Sequence, residues 1–363
     1  MEITFLGTGS AYPSPKRGVS CTALKQEDGQ IWLFDCGEGS RIQIQRSQLK
    51  PGKISKIFIT HLHGDHLFGL PGLLCTISQN NLRDDAVEIY GPLGLRKFIR
   101  VALTLSRSQL GFNYKVHELD YTGVEMNLED ISVDHTTNDA LHPNEIEGET
   151  FKPDENGAWN IFSDSMMSVK AGYLQHRVPT FGYLITESTQ PGSLNAVKLK
   201  ALGIPPGPLY SKVKSGQSII SPTDGSIINP SDVIGADKPG RKILILGDTC
   251  DSNRLVTFTK DVDVLIHEAT LENDKLSDAM EKGHSTPGMA AEFANAIGAR
   301  KLVLTHFSQR YRSISEIIRD GDDSVQTLVD EAQLAFNGEE VIAADDFMVL
   351  PIPRRKTIEE NNS

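Results

Sequence analysis

The chain holds 363 residues, 39% of them hydrophobic and 23% charged, enough to bury a large core in one big α/β domain or in two. A formal net charge of −12 argues against non-specific polyanion binding by the whole surface, while leaving room for a nucleic acid held by a local basic patch and by metal ions. With no apolar run of the ~18 residues that a membrane span needs, no membrane partner is expected. Met1-Glu2-Ile3-Thr4-Phe5-Leu6 enters a strand at once without a basic leader segment, so no signal peptide is expected. The four cysteines, Cys21, Cys36, Cys75 and Cys250, lack paired spacing. They argue for reduced thiols in an intracellular protein of the cytoplasm, the nucleus or both.

In chain order, Ile3 to Leu6 runs as a strand into the turn Gly7-Thr8-Gly9, which lacks the Lys-Ser/Thr pair of a phosphate loop and reads as structural. Val19 to Leu24 and Ile31 to Phe34 read as strands joined by an Asp28-Gly29 hairpin turn. Asp35, before Gly37 and Gly39, reads either as a turn carboxylate or as the acceptor that a metal-binding imidazole needs. Lys56 to Ile59 is an apolar run of strand length, and His61, His63, Asp65 and His66 follow it closely. Imidazole nitrogens and a carboxylate are donors that zinc and similar borderline metals prefer. Alternation puts His61 and His63 on one side of an extended chain, and Gly64 permits a turn that returns Asp65 and His66 to the same space. Four donors so close crowd a single tetrahedral ion, so two adjacent ions are the better reading. The plain alternative is a polar loop with chance histidines.

Leu67 to Ser78 reads as a buried helix, Val87 to Tyr90 as a strand and Leu93 to Leu105 as a helix. From about 118 to 160 the chain is acidic, Asn-rich and aperiodic, as an insertion would be. His117, His135 and His142 end no apolar strand and read as ordinary structural or surface residues. Met166 to Leu174 is a strand ending in Gln175-His176, which repeats the pattern of His61, and Phe181 to Thr186 follows. Between about 190 and 230, helix formers from Leu199 lead into Gly203, the cluster Pro205 to Pro208, and Lys212 and Lys214. This stretch predicts a protruding basic arm in preference to a plain surface loop.

The last third is the most regular. Lys242 to Leu246 ends in Gly247-Asp248-Thr249, Val262 to Ile266 in His267-Glu268-Ala269-Thr270, and Lys301 to Leu304 in Thr305-His306-Phe307. Gly283-His284 leads into Ser285-Thr286-Pro287, a helix start with a hydroxyl cap and Pro in its first turn. A final amphipathic helix sets Val325, Leu328, Val329, Ala332 and Phe336 on one face, before a closing strand from Phe347 to Leu350. Strand after strand thus delivers a metal or proton-transfer residue at its C-terminal end: His61, His176, Asp248, Glu268 and His306. That edge of an α/β structure is where ligands collect.

His61-Leu62-His63-Gly64-Asp65-His66 matches the HxHxDH signature of the metallo-β-lactamase fold. With His176, Asp248, His306, the His267-Glu268-Ala269-Thr270 and His284-Ser285-Thr286 loops and the Gly/Pro-rich arm, the chain resembles tRNase Z, the tRNA 3′-processing endoribonuclease. The resemblance is to its short, ELAC-type form and covers nearly the whole chain. The family's PxKxRN loop is kept at Pro13 and Arg17, while Pro15 and Gly18 occupy its Lys and Asn positions and Lys16 stands beside the expected Lys.

The resemblance implies one metallo-β-lactamase-like α/β domain over residues 1–363, an αβ/βα four-layer sandwich of two similar halves. The 118–160 insertion and the 190–230 arm would lie within it. It implies two Zn2+ per chain, one on His61, His63 and His176, the other on Asp65, His66 and His306, with Asp248 bridging. Asp65 would also orient the attacking water, and Glu268 with His284 would be the proton-transfer pair. Arg17, Lys200, Lys212, Lys214 and Arg310 would contact substrate. The implied reaction removes the 3′ trailer of precursor tRNA after the discriminator nucleotide, the arm gripping the tRNA elbow from the other subunit of a homodimer. Two other readings compete. A dizinc hydrolase of other specificity, such as a DNA or RNA exonuclease or a thioester hydrolase, shares the ligand set, but a thioester hydrolase has no use for the arm. A non-catalytic RNA-binding protein has no need of an acid beside its metals.

Overall fold

The computed structural model describes residues 1–78, 83–124, 140–317, 319 and 321–355, so His135 and the middle of the acidic stretch lie outside it. The described residues divide into two compact units, one drawn from 1–185 with 242–352 and the other from 186–241 with 353–355. In the first unit, β1 (Glu2–Gly7), β2 (Cys21–Lys25) and β3 (Ile31–Phe34) form an antiparallel meander. Strands β4 (Ile54–Phe58), β5 (Val87–Pro92) and β6 (Tyr114–Leu119) extend it in parallel. The short strands β7 (Glu145–Ile146) and β8 (Thr150–Phe151) both pair with β6. Parallel neighbours need crossovers, and α1 (Ser40–Arg46), α2 (Gly64–Leu67), α3 (Leu70–Ile77) and α4 (Leu95–Leu105) lie in them.

The second sheet starts with β9 (Ala158–Ser163) and β10 (Met167–Leu174), an antiparallel pair, and continues to β11 (Thr180–Glu187). The chain then forms the second unit, with α5 (Ala196–Ala201), α6 (Pro208–Lys214), the hairpin of β12 (Ile219–Ile220) and β13 (Ile227–Ile228), and α7 (Pro230–Val233). It returns as the parallel run β14 (Lys242–Ile245), β15 (Val264–Glu268), β16 (Lys301–Thr305) and β17 (Glu340–Ala343). Helices α8 (Leu276–Glu281), α9 (Pro287–Ala296) and α10 (Val325–Ala335) fall between these strands, and β18 (Val349–Pro351) pairs antiparallel with β1.

Alternation along the strands explains the layers. Trp32, Phe34 and Phe58 point into an aromatic core shared with Tyr183, Ile243, Ile245 and Ile266 of the other sheet. Their neighbours Ile31, Leu33 and Ile57 pack on Leu70, Leu73 and Leu74 of α3 and on Ile99 of α4. In the second sheet Leu244 and Leu302 turn the other way, onto Ala290 and Phe293 of α9 and Leu328 and Ala332 of α10. Strands apolar on both faces thus bind a helix layer outside and a sheet inside, giving an α/β/β/α sandwich with two mixed sheets. Phe58 is stacked between Phe34 and Tyr90, with ring centroids 4.9 and 5.0 Å away.

Some expected elements are redrawn. The stretch read as one helix from Leu67 to Ser78 is α2 and α3, interrupted at Phe68 and Gly69. There the backbones meet so closely that a Cβ on Gly69 would lie 2.1 Å from the Gly37 carbonyl oxygen. The aperiodic 118–160 stretch holds β7, β8 and the start of β9. Strands of two residues are too short to show a period of two. All four cysteines are free, and no helix among the described residues is long and apolar enough to cross a membrane.

The second unit has its own small core of Leu199, Ile204, Val213, Ile219, Ile228 and Val233. Where its two chain segments meet, Arg241 grips the buried Glu187 carboxylate with Nε and a terminal nitrogen, both at 2.8 Å, and Arg354 joins them. Pro205, Pro206 and Pro208 are exposed, and Pro208 opens α6.

Candidate metal centre and its cleft

Each strand end of the first unit that the sequence singles out does reach one place. His61 follows β4, His176 follows β10, Asp248 follows β14, Glu268 closes β15 and His306 follows β16. His61, His63, His176 and Asp248 form one group whose ligand atoms all lie within 4.8 Å of one another, and Asp65, His66, Asp248 and His306 form a second. In the first, His63 Nδ1 stands 3.1 Å from His61 Nε2 and 3.3 Å from His176 Nε2. In the second, His66 Nε2 and His306 Nε2 are 3.3 Å apart. Asp248 turns Oδ1 to the second group, 3.3 Å from both His66 and His306, and Oδ2 to the first, 3.8 Å from His61. One carboxylate facing both groups is the arrangement of a bridging ligand.

The ring nitrogens that His61, His66, His176 and His306 turn away from these groups are held. His66 Nδ1 donates to Asp35 Oδ2 at 2.7 Å. The His61 ring reaches the same carboxylate through Thr60, whose hydroxyl lies 3.0 Å from His61 Nδ1 and donates to Asp35 at 2.9 Å. His176 Nδ1 donates to the Gly283 carbonyl at 2.6 Å. His306 Nδ1 lies 3.1 Å from the Thr270 hydroxyl, which donates to Glu268 Oε2. Such partners fix tautomer and ring orientation, leaving Nε2 of four histidines free to ligate. Asp65 is held by the Ala11 amide, 2.8 Å from Oδ2. Asp35 therefore does both things the sequence left open: it sits in a turn and it accepts from a donor histidine. Ala11, Asp35 and His306 all have positive φ, at 67°, 62° and 57°. Backbone held there costs about 1–3 kcal/mol per residue and gathers at functional sites.

The electrostatics suit cations. Burial holds the His61 ring far below its usual range, and brings His63 down to about 4, with the neighbouring rings adding to the effect. Burial would also lower His66, but Asp248 and Asp35 overcome it and push it well up. Burial would raise Asp248, yet the surrounding histidines hold it well below the carboxylate range. Three or more nitrogen and carboxylate donors per group, all but His63 and Asp65 buried, are the chemistry of a zinc site.

Glu268, His284 and His306 also cluster. Glu268 is nonetheless already spent: Oε1 accepts from the Thr249 amide at 2.7 Å and from His284 Nδ1 at 3.0 Å, while Oε2 accepts from Thr270. Burial would raise its carboxyl, but the His284 charge and hydrogen bond keep it lowered. Burial would likewise depress His284, but Glu268 and then Asp248 push it up to about 9. Each partner thus favours the charged form of the other, as in a carboxylate–imidazole ion pair. Ser285 and Thr286 do not cap α9 with their side chains; the Ser285 hydroxyl donates to the Thr249 carbonyl instead.

A cleft of about 400 Å³ opens over these groups, lined by Ser10, Ala11, Pro13, His63, Asp65, Phe68, Arg177, Asp248, His284 and His306 among others. Of the expected substrate contacts, Arg17 is placed differently. It is 4% exposed, its guanidinium 3.3 Å from the Tyr311 carbonyl and over the Phe307 ring, so it holds its loop from inside. Arg310 is exposed beyond His306. Lys200 on α5 and Lys212 and Lys214 on α6 are exposed in the second unit. His117 and His142 are buried and structural, one stacked on Tyr90 and the other bonded to the Ser108 carbonyl at 2.9 Å. Thr60 and Ala11 went unread in the sequence, and Thr270 and Gly283 were read only as neighbours of Glu268 and His284, because a hydroxyl, a carbonyl and an amide carry no signal until the fold supplies their partners.

The family model described as anti-Pycsar protein Apyc1 matches residues 1–108, and that of the beta-lactamase superfamily domain matches residues 220–307. The chain is 48% identical over 367 residues to zinc phosphodiesterase ELAC protein 1 of Bos taurus, covering 98% of this chain and 99% of that one. It is 38% identical over 357 residues to ribonuclease Z of Lactiplantibacillus plantarum, covering 98% and 100%. The crystal structure of human tRNase Z, short form (ELAC1), superposes with a TM-score of 0.67 at 39% identity, covering 97% of this chain and all of that one. With the HxHxDH cluster, the shared Asp248 and the Glu268–His284 pair in place, the chain belongs to the tRNase Z family, in its short ELAC1-type form, within the metallo-β-lactamase superfamily.

Proposed function

We propose that this protein is a zinc-dependent endoribonuclease that hydrolyses precursor tRNA just 3′ of the discriminator nucleotide, leaving a 3′-hydroxyl on the tRNA and a 5′-phosphate on the trailer. The observation that carries the reading is His284, paired with Glu268 at 3.0 Å, on the same cleft as two donor groups that share Asp248. Membership of the tRNase Z family supplies the substrate class.

Two zinc ions per chain would fit the two groups: His61, His63 and His176 would hold one, Asp65, His66 and His306 the other, and Asp248 would serve both. Zinc, when bound, supplies Lewis acidity toward phosphate oxygens and makes water a nucleophile at neutral pH. Asp65, steadied by the Ala11 amide, accepts a hydrogen bond from the attacking water and turns it toward phosphorus. As the bond from phosphorus to the tRNA 3′-oxygen breaks, His284 delivers a proton to that oxygen from the ring nitrogen that Glu268 does not engage. Glu268 keeps its charge and stabilises the imidazolium.

The acidic chain meets its RNA through local charge. Lys198, Lys200, Lys212 and Lys214 are all exposed on the second unit, and shape with backbone contacts suffices to recognise folded RNA. In this reading the unit grips the tRNA elbow from the other subunit of a homodimer, inside the cell where precursor tRNA is made. Incubating the purified protein with a 3′-extended tRNA transcript, with and without chelator, and mapping the cut is the test. A single chelator-sensitive cut after the discriminator is expected; progressive trimming or no cut would sink the reading.

A further inference from the structure

Phe68 is 62% exposed, yet it follows directly on the donor cluster and lines the cleft. Its seat is rigid. The ring lies over Gly64, where a Cβ would come within 2.5 Å of it, and against Phe98, with centroids 6.3 Å apart and planes 14° from parallel. Gly64, expected from sequence only to permit a turn, thus also leaves room for this ring. Arg177 lines the same cleft beside His176 and is exposed, its stem packed at Gly283. Among the described residues its guanidinium has neither an ion-pair nor a hydrogen-bond partner. A seated aromatic face and an unneutralised guanidinium on one cleft are unused by the metal groups and by the His284–Glu268 pair.

We infer that Phe68 and Arg177 form a nucleotide subsite beside the scissile phosphate. The ring stacks on the base of a nucleotide flanking the cleaved bond, and the guanidinium pairs with an adjacent backbone phosphate. The inference rests on the reading of this protein as a tRNA-cleaving enzyme. Stacking tolerates any base because every base has a π-face, which suits a cleft that must accept varied sequences around one cut. Guanidinium is the cation that matches phosphate with two parallel hydrogen bonds.

The test is steady-state cleavage of a 3′-extended tRNA transcript, intact or with an abasic nucleotide at either position flanking the cut. Wild type should lose roughly 10-fold in kcat/KM at one of the two positions, within the range of base–aromatic stacking. Phe68→Ala should lose about as much on intact transcript and less than about twofold more on the abasic one, since ring and base act as a pair. Phe68→Trp should keep the coupling, and Phe68→Leu, apolar without a π-face, should lose it. Arg177→Gln should lower the slope of log kcat/KM against log salt by about one phosphate contact. Zinc content should match wild type in every variant, as neither residue is a donor. Equal losses from base removal in wild type and Phe68→Ala at both positions overturn the stacking subsite, and an unaltered salt slope overturns the role of Arg177. A wild-type chain that leaves intact transcript uncut overturns the tRNA reading itself, and the subsite with it.

Discussion

Two buried carboxylates in this protein receive the same kinds of donor and serve different ends. Asp35, just past β3, accepts from the Thr60 amide, the Thr60 hydroxyl and His66. Glu268, closing β15, accepts from the Thr249 amide, the Thr270 hydroxyl and His284. The difference lies in where each imidazole points. His66 is 2% exposed and turns its second nitrogen to His306 and Asp248, as a ligand must. The His284 side chain is 14% exposed and lines the cleft, where it can meet a leaving oxygen. In the proposed mechanism the same carboxylate device makes a ligand when its imidazole is sealed in and an acid when it faces the cleft.

The largest effect should come from the residue both devices surround. Asp248→Ala removes the carboxylate facing both donor groups and should take cleavage to background, with the fold retained by circular dichroism. Substantial turnover with two zinc ions still bound would break the bridging assignment.

His284→Ala should cut tRNA cleavage by roughly 10²–10⁴-fold, the worth of a general acid, without loss of zinc. With a p-nitrophenolate leaving group, which needs little protonation, the loss should be far smaller. Equal losses on both substrates would make His284 structural. The pH profile sharpens the point. His284 is raised to about 9 from its ordinary 6.5, so the protonated acid is present below that value and activity falls as pH rises through it. The basic limb should vanish in His284→Ala.

Asp35→Asn should weaken zinc binding by roughly 10–100-fold, the usual cost of losing a ligand's hydrogen-bond partner, and added zinc should restore cleavage. Glu268→Gln should stay impaired in excess zinc, and combined with His284→Ala it should cost less than the product of the two losses. Recovery of both single variants by zinc would erase the distinction between the two carboxylates. Acidification should release metal from the wild type, because His66 and its fellow ligands must be deprotonated to bind it.

The smallest effect belongs to the second unit. Lys212→Gln with Lys214→Gln should weaken precursor tRNA binding several-fold and lower its salt slope by about two contacts, with zinc content unchanged. Charge neutralisation is a cleaner probe than excision of 199–214, which would strip Leu199, Ile204 and Val213 from the unit's core.

The donor residues were legible in the sequence because metal binding needs scarce residue types at particular places. His61, His63, Asp65 and His66 are close in sequence, and His176, Asp248, Glu268 and His306 each end an apolar strand. Strand polarity alone sends such endings to one edge. The layered α/β plan was legible for the same reason, since strands apolar at every position, such as Ile31–Phe34, demand cover on both faces. What only the tertiary structure decided is everything carried by groups that all residues share or by contacts far apart in the chain. Asp35 became the partner of His66 through a turn at φ 62°. Ala11 holds Asp65 with an amide, and Gly283 holds His176 with a carbonyl. Arg17 was drawn inside by Phe307 and Tyr311 instead of facing substrate. The helix expected through Phe68 divides there because Pro71, in the first turn of α3, has no amide to continue it, and the Gly69 amide donates to the Cys36 carbonyl at 2.9 Å instead. Apart from Pro71, none of these leaves a periodic or compositional trace, because each is made by the close approach of two segments and not by either one.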